Sequence, residues 1–249
     1  FMEYVRKLKK EGTIRHIGLS THNPHVARLA ALQGEIEMIL FSINPAFDMM
    51  PATEDLNVYF SDDYAEELGG IAPERAELYS ICEREGVGIT VMKGYAGGRL
   101  FSAESSPFGV ALTPVQCLHY ALTRPAVASV MVGYDTPEHV RAAVAYETAT
   151  EEEKDYASVL AGAPKHAYYG QCTYCGHCAP CPAGIDIAMV NKLYDLAVMQ
   201  EEVPASLRAH YNGLSAGAGD CIGCGSCESR CPFGVPVVER VEQAKVLFS

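Results

Sequence analysis

The sequence predicts an α/β chain: a parallel sheet with helical crossovers over residues 1–163, then a small, mostly helical, cysteine-rich module over residues 164–249. Three observations carry this expectation. Short β-branched runs alternate with helical patterns four times before residue 150; consecutive βα units imply parallel strands joined by right-handed crossovers. The ten cysteines divide unevenly, with Cys82 and Cys117 in the first part and the other eight in the second. Gly162, Pro164 and Gly170 punctuate the stretch where the composition changes. A chain of 249 residues that is 49 % apolar suits one large domain or a medium one with an appendage.

The elements run in order along the chain. Residues 1–11, FMEYVRKLKKE, read as an amphipathic helix and not as a signal peptide. IRHIGLS (14–20) is a short strand. NPHVARLAALQG (23–34) offers Asn23 as a cap, Pro24 in the first turn and Gly34 as a stop. IEMILFSI (36–43) is nearly all apolar, as expected of a strand covered on both faces. A long segment, 44–72, precedes the helix 73–86, where Leu78, Ile81 and Cys82 share a face. VGITVMKG (87–94) is the third strand and 113–124 the third helix, with Pro114 at its start. VASVMVG (127–133) and 136–147 complete the series. In such a sheet the functional residues gather at the carboxyl ends of strands: Ser20 to Asn23, Asn44 to Asp48, Lys93 to Arg99, and Gly133 to Thr136. The loop GYAGG (94–98) is too loose for a dinucleotide fingerprint, and it does not open a helix after the first strand.

The second part is read from its cysteines. Cys172, Cys175, Cys178 and Cys181 follow C-x2-C-x2-C-x2-C-P, and Cys221, Cys224, Cys227 and Cys231 follow C-x2-C-x2-C-x3-C-P. Three thiolates at x2 intervals can wrap three corners of one cubane. In two-cluster ferredoxins the fourth cysteine of such a run ligates the other cluster. Carried over, one 4Fe-4S cluster takes Cys172, Cys175, Cys178 and Cys231, and the other takes Cys221, Cys224, Cys227 and Cys181. Gly176, Gly223 and Gly225 leave room for amide N–H groups to approach the sulfurs. Structural zinc and disulfides are the competing readings; zinc favours two well-separated C-x2-4-C pairs, and disulfides need an oxidising compartment. His177, between two ligands, reads as a surface histidine, and Cys82 and Cys117 as buried apolar residues. NGLSAGAGD (212–220) reads as a flexible connector between the two runs. The helical stretches 185–202 and 235–248 would cover the clusters, with Ile187, Val190 and Tyr194 facing inward.

Several stretches then resemble one family. GTIRHIGLSTHN, MILFSINPAFD, VGITVMKGYAGGRL and VASVMVGYDTPEHVRAA are similar to consecutive strand-end motifs of the second half of an aldo/keto reductase barrel. CTYCGHCAPCPAGIDI and CIGCGSCESRCPFGVPV resemble the ferredoxin-like tail of one branch of that family. The resemblance implies the second half of a (βα)8 TIM-type barrel followed by a ferredoxin-like domain with two 4Fe-4S clusters. It implies NAD(P)H as a cofactor, with Ser20, Thr21, His22 and Asn23 toward the nicotinamide carboxamide and Met92 at the ring. Lys93 and Arg99 would lie along the pyrophosphate, and Gly133 near the adenosine phosphate. Two positions depart from the family pattern. Apolar Leu40 or Phe41 stands where a carboxamide-binding glutamine is usual, and His139, with Ala142 and Ala143 after it, stands where a phosphate-pairing arginine is usual. The family's catalytic tetrad sits on the first four βα units, which this sequence does not contain, so no catalytic residue is assigned here.

The expectation is therefore an oxidoreductase, reducing a carbonyl of a small-molecule substrate in a longer polypeptide whose upstream half of the barrel would be its partner. An unknown redox partner would serve the clusters. The alternative is an electron-transfer or scaffold protein without hydride chemistry. A net charge of −12 argues against nucleic acid and anionic membrane surfaces. No apolar run approaches the ~18 residues of a spanning helix. Thiolate-bound clusters point to a reducing, cytoplasmic setting.

Overall fold

The computed structural model describes residues 1–50, 70–164 and 168–249; most of the long segment 44–72 therefore lies outside the described residues. Helix α1 (Met2–Lys10) buries no residue of its own. It is fastened by the two-pronged pairing of Arg6 with Glu35 at 2.7 Å, and by Lys9 and His16 on Glu37. Strands β1 (Gly18–Thr21), β2 (Met38–Ser42), β3 (Gly88–Met92) and β4 (Val127–Val130) form one sheet in that order, every pair parallel.

The crossovers begin where side chains can cap them. Asn23 accepts from the backbone N–H groups of His25 and Val26 and starts α2 (Pro24–Ala31). Asn44 does the same for the short α3 (Pro45–Asp48). Helix α4 (Pro73–Glu85) stops at Gly86, whose φ of 69° is a left-handed conformation that glycine adopts without strain. Thr113 and Gln116 form a reciprocal capping box on α5 (Pro114–Leu122), and Thr136 caps α6 (Pro137–Val144). In each capped case proline occupies the first turn, where its missing N–H costs nothing.

Register separates the faces of the sheet. Ile39, Phe41, Ile89 and Val91 are fully buried under Ala27 and Ala31 of α2 and Leu78 and Cys82 of α4. On the opposite face Met38 is 48 % exposed, Leu40 is half-buried and Ser20 and Ser129 are exposed. The expectation that β2 is covered on both faces is thus met on one face only among the described residues. There Thr90 bridges its neighbours, through its hydroxyl to Met38 Sδ at 3.3 Å and to Ser129 Oγ at 3.0 Å.

Among the described residues five further α-helices went unread in the sequence: α3, α7 (Glu151–Lys154), α8 (Tyr156–Ala161), α10 (Ala205–Asn212) and α11 (Ser226–Ser229). The remaining helices, α9 (Ile187–Val198) and α12 (Val237–Phe248), pack together. The supposed flexible connector is held down. The Gly217 amide donates to Asp220, and the amide of fully buried Ala218 donates to the Tyr211 hydroxyl at 2.7 Å. The Tyr211 ring stacks on Phe248, centroids 4.1 Å apart and 7° from parallel.

One carboxylate ties the end of β2 to α4 and α5. Asp48, completely buried just past β2, accepts from the hydroxyls of Tyr79 (2.5 Å) and Tyr120 (2.8 Å) and lies 3.7 Å from Arg75. Arg75 also donates to the carbonyls of Ser42 and Met50. Tyr120 meets the hydroxyl of Tyr168, which donates to the Pro45 carbonyl at 2.5 Å. Burial pushes the Asp48 carboxyl above the ordinary range, opposed by Arg75, Arg124 and the two tyrosines. Replacing Asp48 by leucine strands a buried guanidinium, which costs about 3–5 kcal/mol. Tyr79→Phe removes one hydrogen bond and costs about 1–3 kcal/mol because the carboxylate keeps its other partners. Urea unfolding followed by circular dichroism is expected to rank the two variants in that order.

Candidate metal centre

The first cysteine run has no helix or strand and the second holds only the four-residue α11, so their shape is set largely by turns and by the side chains that grip them. Gly176 (φ 86°) and Gly225 (φ 71°) reverse the chain between cysteines in a conformation that a side chain would strain. The runs end alike. Cys181-Pro182 and Cys231-Pro232 are followed by Gly184 and Gly234 at positive φ, then by buried Ile185 and Val235, then by Ile187 and Val237 at the first turns of α9 and α12.

Two cavities result, and each draws on both runs. Cys172, Cys175 and Cys178 line the first together with Cys231, closed by Ala188, Asn191, Phe233 and Val237. Cys221, Cys224 and Cys227 line the second together with Cys181, closed by Ile185, Ile187, Val238 and Val241. None of the ten cysteines is in a disulfide, and Cys82 and Cys117 are completely buried away from both cavities. The donor set is sulfur within apolar walls. The amide of Gly223 donates to Cys221 Sγ at 3.4 Å, the kind of contact the glycines were expected to permit.

Burial pushes the Cys172 and Cys178 thiols up to about 12. A bound metal would stabilise their thiolate forms. Cys224 is held below the usual thiol range by hydrogen bonds from Ser226. Among the described residues no three Cys, His, Asp or Glu side chains converge closely enough to hold a single metal ion.

Several cations and amides grip the runs. Arg230, beside the second cavity, reaches back across the first run, donating to the carbonyls of His177 (3.3 Å), Cys178 (2.6 Å) and Pro180 (2.8 Å). Arg240 on α12 binds Asn191 at 2.8 Å and Asp195 at 2.5 Å, and Asp195 accepts from Tyr174. His177 is not a plain surface residue. It is half-buried and pairs with Asp155 at 3.0 Å, which ties the first run to the N-terminus of α8. From the sheet side, Arg124 and Tyr156 both donate to the carbonyl of Thr173, between Cys172 and Cys175.

The residues expected to hold a nucleotide are only partly gathered. A cavity of about 580 Å3 joins Lys93, Gly94, Tyr95, Gly97 and Gly98 to Gly133, Asp135 and His139. Gly97 and Gly98 face open space, where an added Cβ would meet nothing within 4 Å. The Tyr95 hydroxyl is buried there without a hydrogen-bond partner, its ring 4.9 Å from that of Phe101. Asp135 pairs with His139 at 2.5 Å. Ser20, Thr21, His22, Asn23, Met92 and Arg99 are not among the lining residues. Asn23 spends its side-chain oxygen on capping α2. The Thr21 hydroxyl accepts from the Asn23 amide, and the Arg99 carbonyl from Ser105. Burial, then Lys93 and Arg75, hold His22 below the usual imidazole range. Asp135, in the expected strand-end stretch Gly133 to Thr136, and His139, at the position of the usual arginine, line this cavity together with Tyr95 and Tyr134.

No helix among the described residues is long and apolar enough to cross a membrane. No curated protein matches the chain. Among solved structures, the aldo-keto reductase AKR11C1 from Bacillus halodurans is similar in its holo and its apo form. Each gives 22 % identity and a TM-score of 0.44 over 62 % of this chain. The likeness covers 53 % and 54 % of those chains, so this chain spans about half the length of the structures it matches. A family model described as a 4Fe-4S dicluster domain matches residues 171–236, the stretch that holds all eight clustered cysteines and both sulfur-lined cavities: the chain carries a 4Fe-4S dicluster domain.

Proposed function

We propose that this chain is the cluster-bearing part of an oxidoreductase, with one 4Fe-4S cluster on Cys172, Cys175, Cys178 and Cys231 and a second on Cys181, Cys221, Cys224 and Cys227. The observation that carries the ligand sets is the exchange of the fourth cysteine: Cys231 lines the first cavity and Cys181 the second, against sequence order. When bound, such clusters exchange single electrons at low potential. The chain's own part is to hold four sulfurs around each cavity, exclude water with α9 and α12, and keep the two runs locked by Arg230.

We further read residues 1–163 as the second half of an aldo/keto reductase-type barrel, joined at residue 164 to the ferredoxin-like domain. The rest of the barrel, a small-molecule carbonyl substrate and a separate redox partner belong to the same reading, as does a reducing, cytoplasmic location. Four parallel βα units support it, with the 580 Å3 cavity at the carboxyl ends of β3 and β4 as the place for NAD(P)H. Gly97 and Gly98 let the backbone approach a pyrophosphate, and Lys93 supplies charge beside it. Asp135 with His139 stands where a 2′-phosphate would have to sit. A carboxylate there accepts from a ribose hydroxyl and repels a phosphate, and imidazole lacks the bidentate fork of arginine. A second reading, a docking scaffold without hydride transfer, is favoured by one specific observation: Asn23, expected at the nicotinamide, is consumed as a helix cap.

Two expected outcomes test these proposals. Wild-type protein prepared anaerobically contains close to eight iron and eight sulfide per chain. Cys231→Ser perturbs the cluster of the first cavity and spares that of the second, and Cys181→Ser does the reverse, read by iron content and electron paramagnetic resonance. Loss confined to the cluster of the same run in each variant defeats the exchanged assignment. For the nucleotide, NADH quenches tyrosine fluorescence with a Kd at least about tenfold below that of NADPH, a difference of about 1.4 kcal/mol. The double change Asp135→Ser with His139→Arg narrows or inverts that ratio. No binding of either nucleotide, to this chain or to a form containing the complete barrel, leaves the scaffold reading.

A further inference from the structure

Arg124 follows α5 and, among the described residues, is one of the two largest completely buried side chains, only 1 % exposed. A guanidinium is always charged, and a buried charge is costly unless paired. Arg75, the other buried guanidinium, has Asp48 at 3.7 Å and two backbone carbonyls. Arg124 has no carboxylate in contact: Asp48, which attracts it at longer range, is already engaged by Arg75. Among the described residues no Asp or Glu lies within ion-pair distance of it, and its Nε and Nη1 have no hydrogen-bond partner. Only Nη2 is used, toward the Thr173 carbonyl and the hydroxyls of Thr123 and Tyr156. The plane of the group rests between aromatic faces, 4.5 Å from the Tyr120 ring and 5.2 Å from that of Tyr174.

Both Thr173 and Tyr174 line the first sulfur cavity, between Cys172 and Cys175. A cubane held by four thiolates is an anion, and taking up one electron makes it more negative by one charge. The other cations near the sulfurs are differently placed. Arg240 has Asp195 as its partner, and Arg230 is half-exposed with its N–H groups spent on three carbonyls. We propose that Arg124 is the buried counter-charge of the first cluster: its unpaired guanidinium is balanced by the cluster in the cavity of Cys172, Cys175, Cys178 and Cys231 and biases that cluster toward its reduced form. This rests on the ligand sets proposed above. Arg124 acts here as a positioning and charge-balancing residue through Thr173, and it ligates nothing itself.

The test is a redox titration of the full cluster-loaded chain with dithionite as the one-electron donor, followed by electron paramagnetic resonance, for wild type, Arg124→Gln and Arg124→Lys. Glutamine can still donate to Thr173 but carries no charge. In Arg124→Gln the reduced-to-oxidised ratio of one cluster is expected to fall at least about tenfold at fixed potential, equivalent to a downward shift of about 59 mV for one electron. The second cluster should stay where it is, and lysine should recover most of the shift. An unmoved potential at full iron content overturns the proposal, and so does an equal shift of both clusters. A wild-type chain without iron and sulfide overturns the ligand sets, and this proposal with them. Should Arg124→Gln fail to load clusters, iron loading of Arg124→Lys decides: full loading supports the need for charge, and failure of both variants counts against it. As a second readout, Arg124→Gln should cost more resistance to urea in the cluster-loaded chain than in the cluster-free chain, because only the former loses a charge pair.

Discussion

The carbonyl oxygen of Thr173 accepts from Arg124 Nη2 and from the Tyr156 hydroxyl at 2.7 Å, and the placement of the first cysteine run depends on that junction. Residues 170–182 form neither helix nor strand, so the run has no ladder of its own to fix its turns. An irregular segment must satisfy its backbone elsewhere. Here the sheet side provides for it, through Arg124 and Tyr156 on Thr173 and through Asp155 on His177. Those groups are in turn fixed by the network on Asp48, since Tyr120 lies against Arg124 and reaches Asp48 and Tyr168. Cavity, tyrosine cluster and sheet end therefore form one continuous packed unit.

The same logic governs the two runs with respect to each other. A fourth cysteine exchanged between cavities means that neither cavity is complete without the other run. Arg230 reinforces this from the second run by binding three carbonyls of the first. Helix α9 is anchored to α4 through Ser80, Arg84 and Gln200, so the covering helix is also tied to the sheet layer.

Much of this was legible in the sequence where a local rule applied. Asn23-Pro24, Thr113-Pro114 and Thr136-Pro137 each announce a capped helix, and each is found. The cysteine spacing, read with the ferredoxin precedent, anticipated which four sulfurs line each cavity. Where the rule was ambiguous the reading failed. Asn44-Pro45 carries the same signal, but α3 is only four residues long and lacks an apolar period. The glycine-rich stretch 212–220 looks mobile by composition, because the Tyr211 hydroxyl that holds Ala218 acts through tertiary packing. Helix α10 begins after Pro204 with no capping side chain, so it gave no start signal. Neither the pairing of His177 with Asp155, across 22 positions, nor the burial of Arg124 leaves any trace in periodicity. In sequence an arginine between Thr123 and Pro125 looks like a solvated helix end.

The burial of that arginine bears on what fills the first cavity. Tying down the Thr173 carbonyl needs one N–H donor, which a neutral amide or the Tyr156 hydroxyl already present can provide. A guanidinium brings a full charge into a site where two of its nitrogens find nothing to bind, and desolvating a charge costs far more than one hydrogen bond returns. The arrangement becomes favourable once an anion fills the neighbouring cavity. A cluster held by thiolates is anionic in either oxidation state, so a fixed positive charge beside it is favourable in both and more so after reduction. The placement of Arg124 is thus better accounted for by an anion in the first cavity than by the hydrogen bond to Thr173 alone.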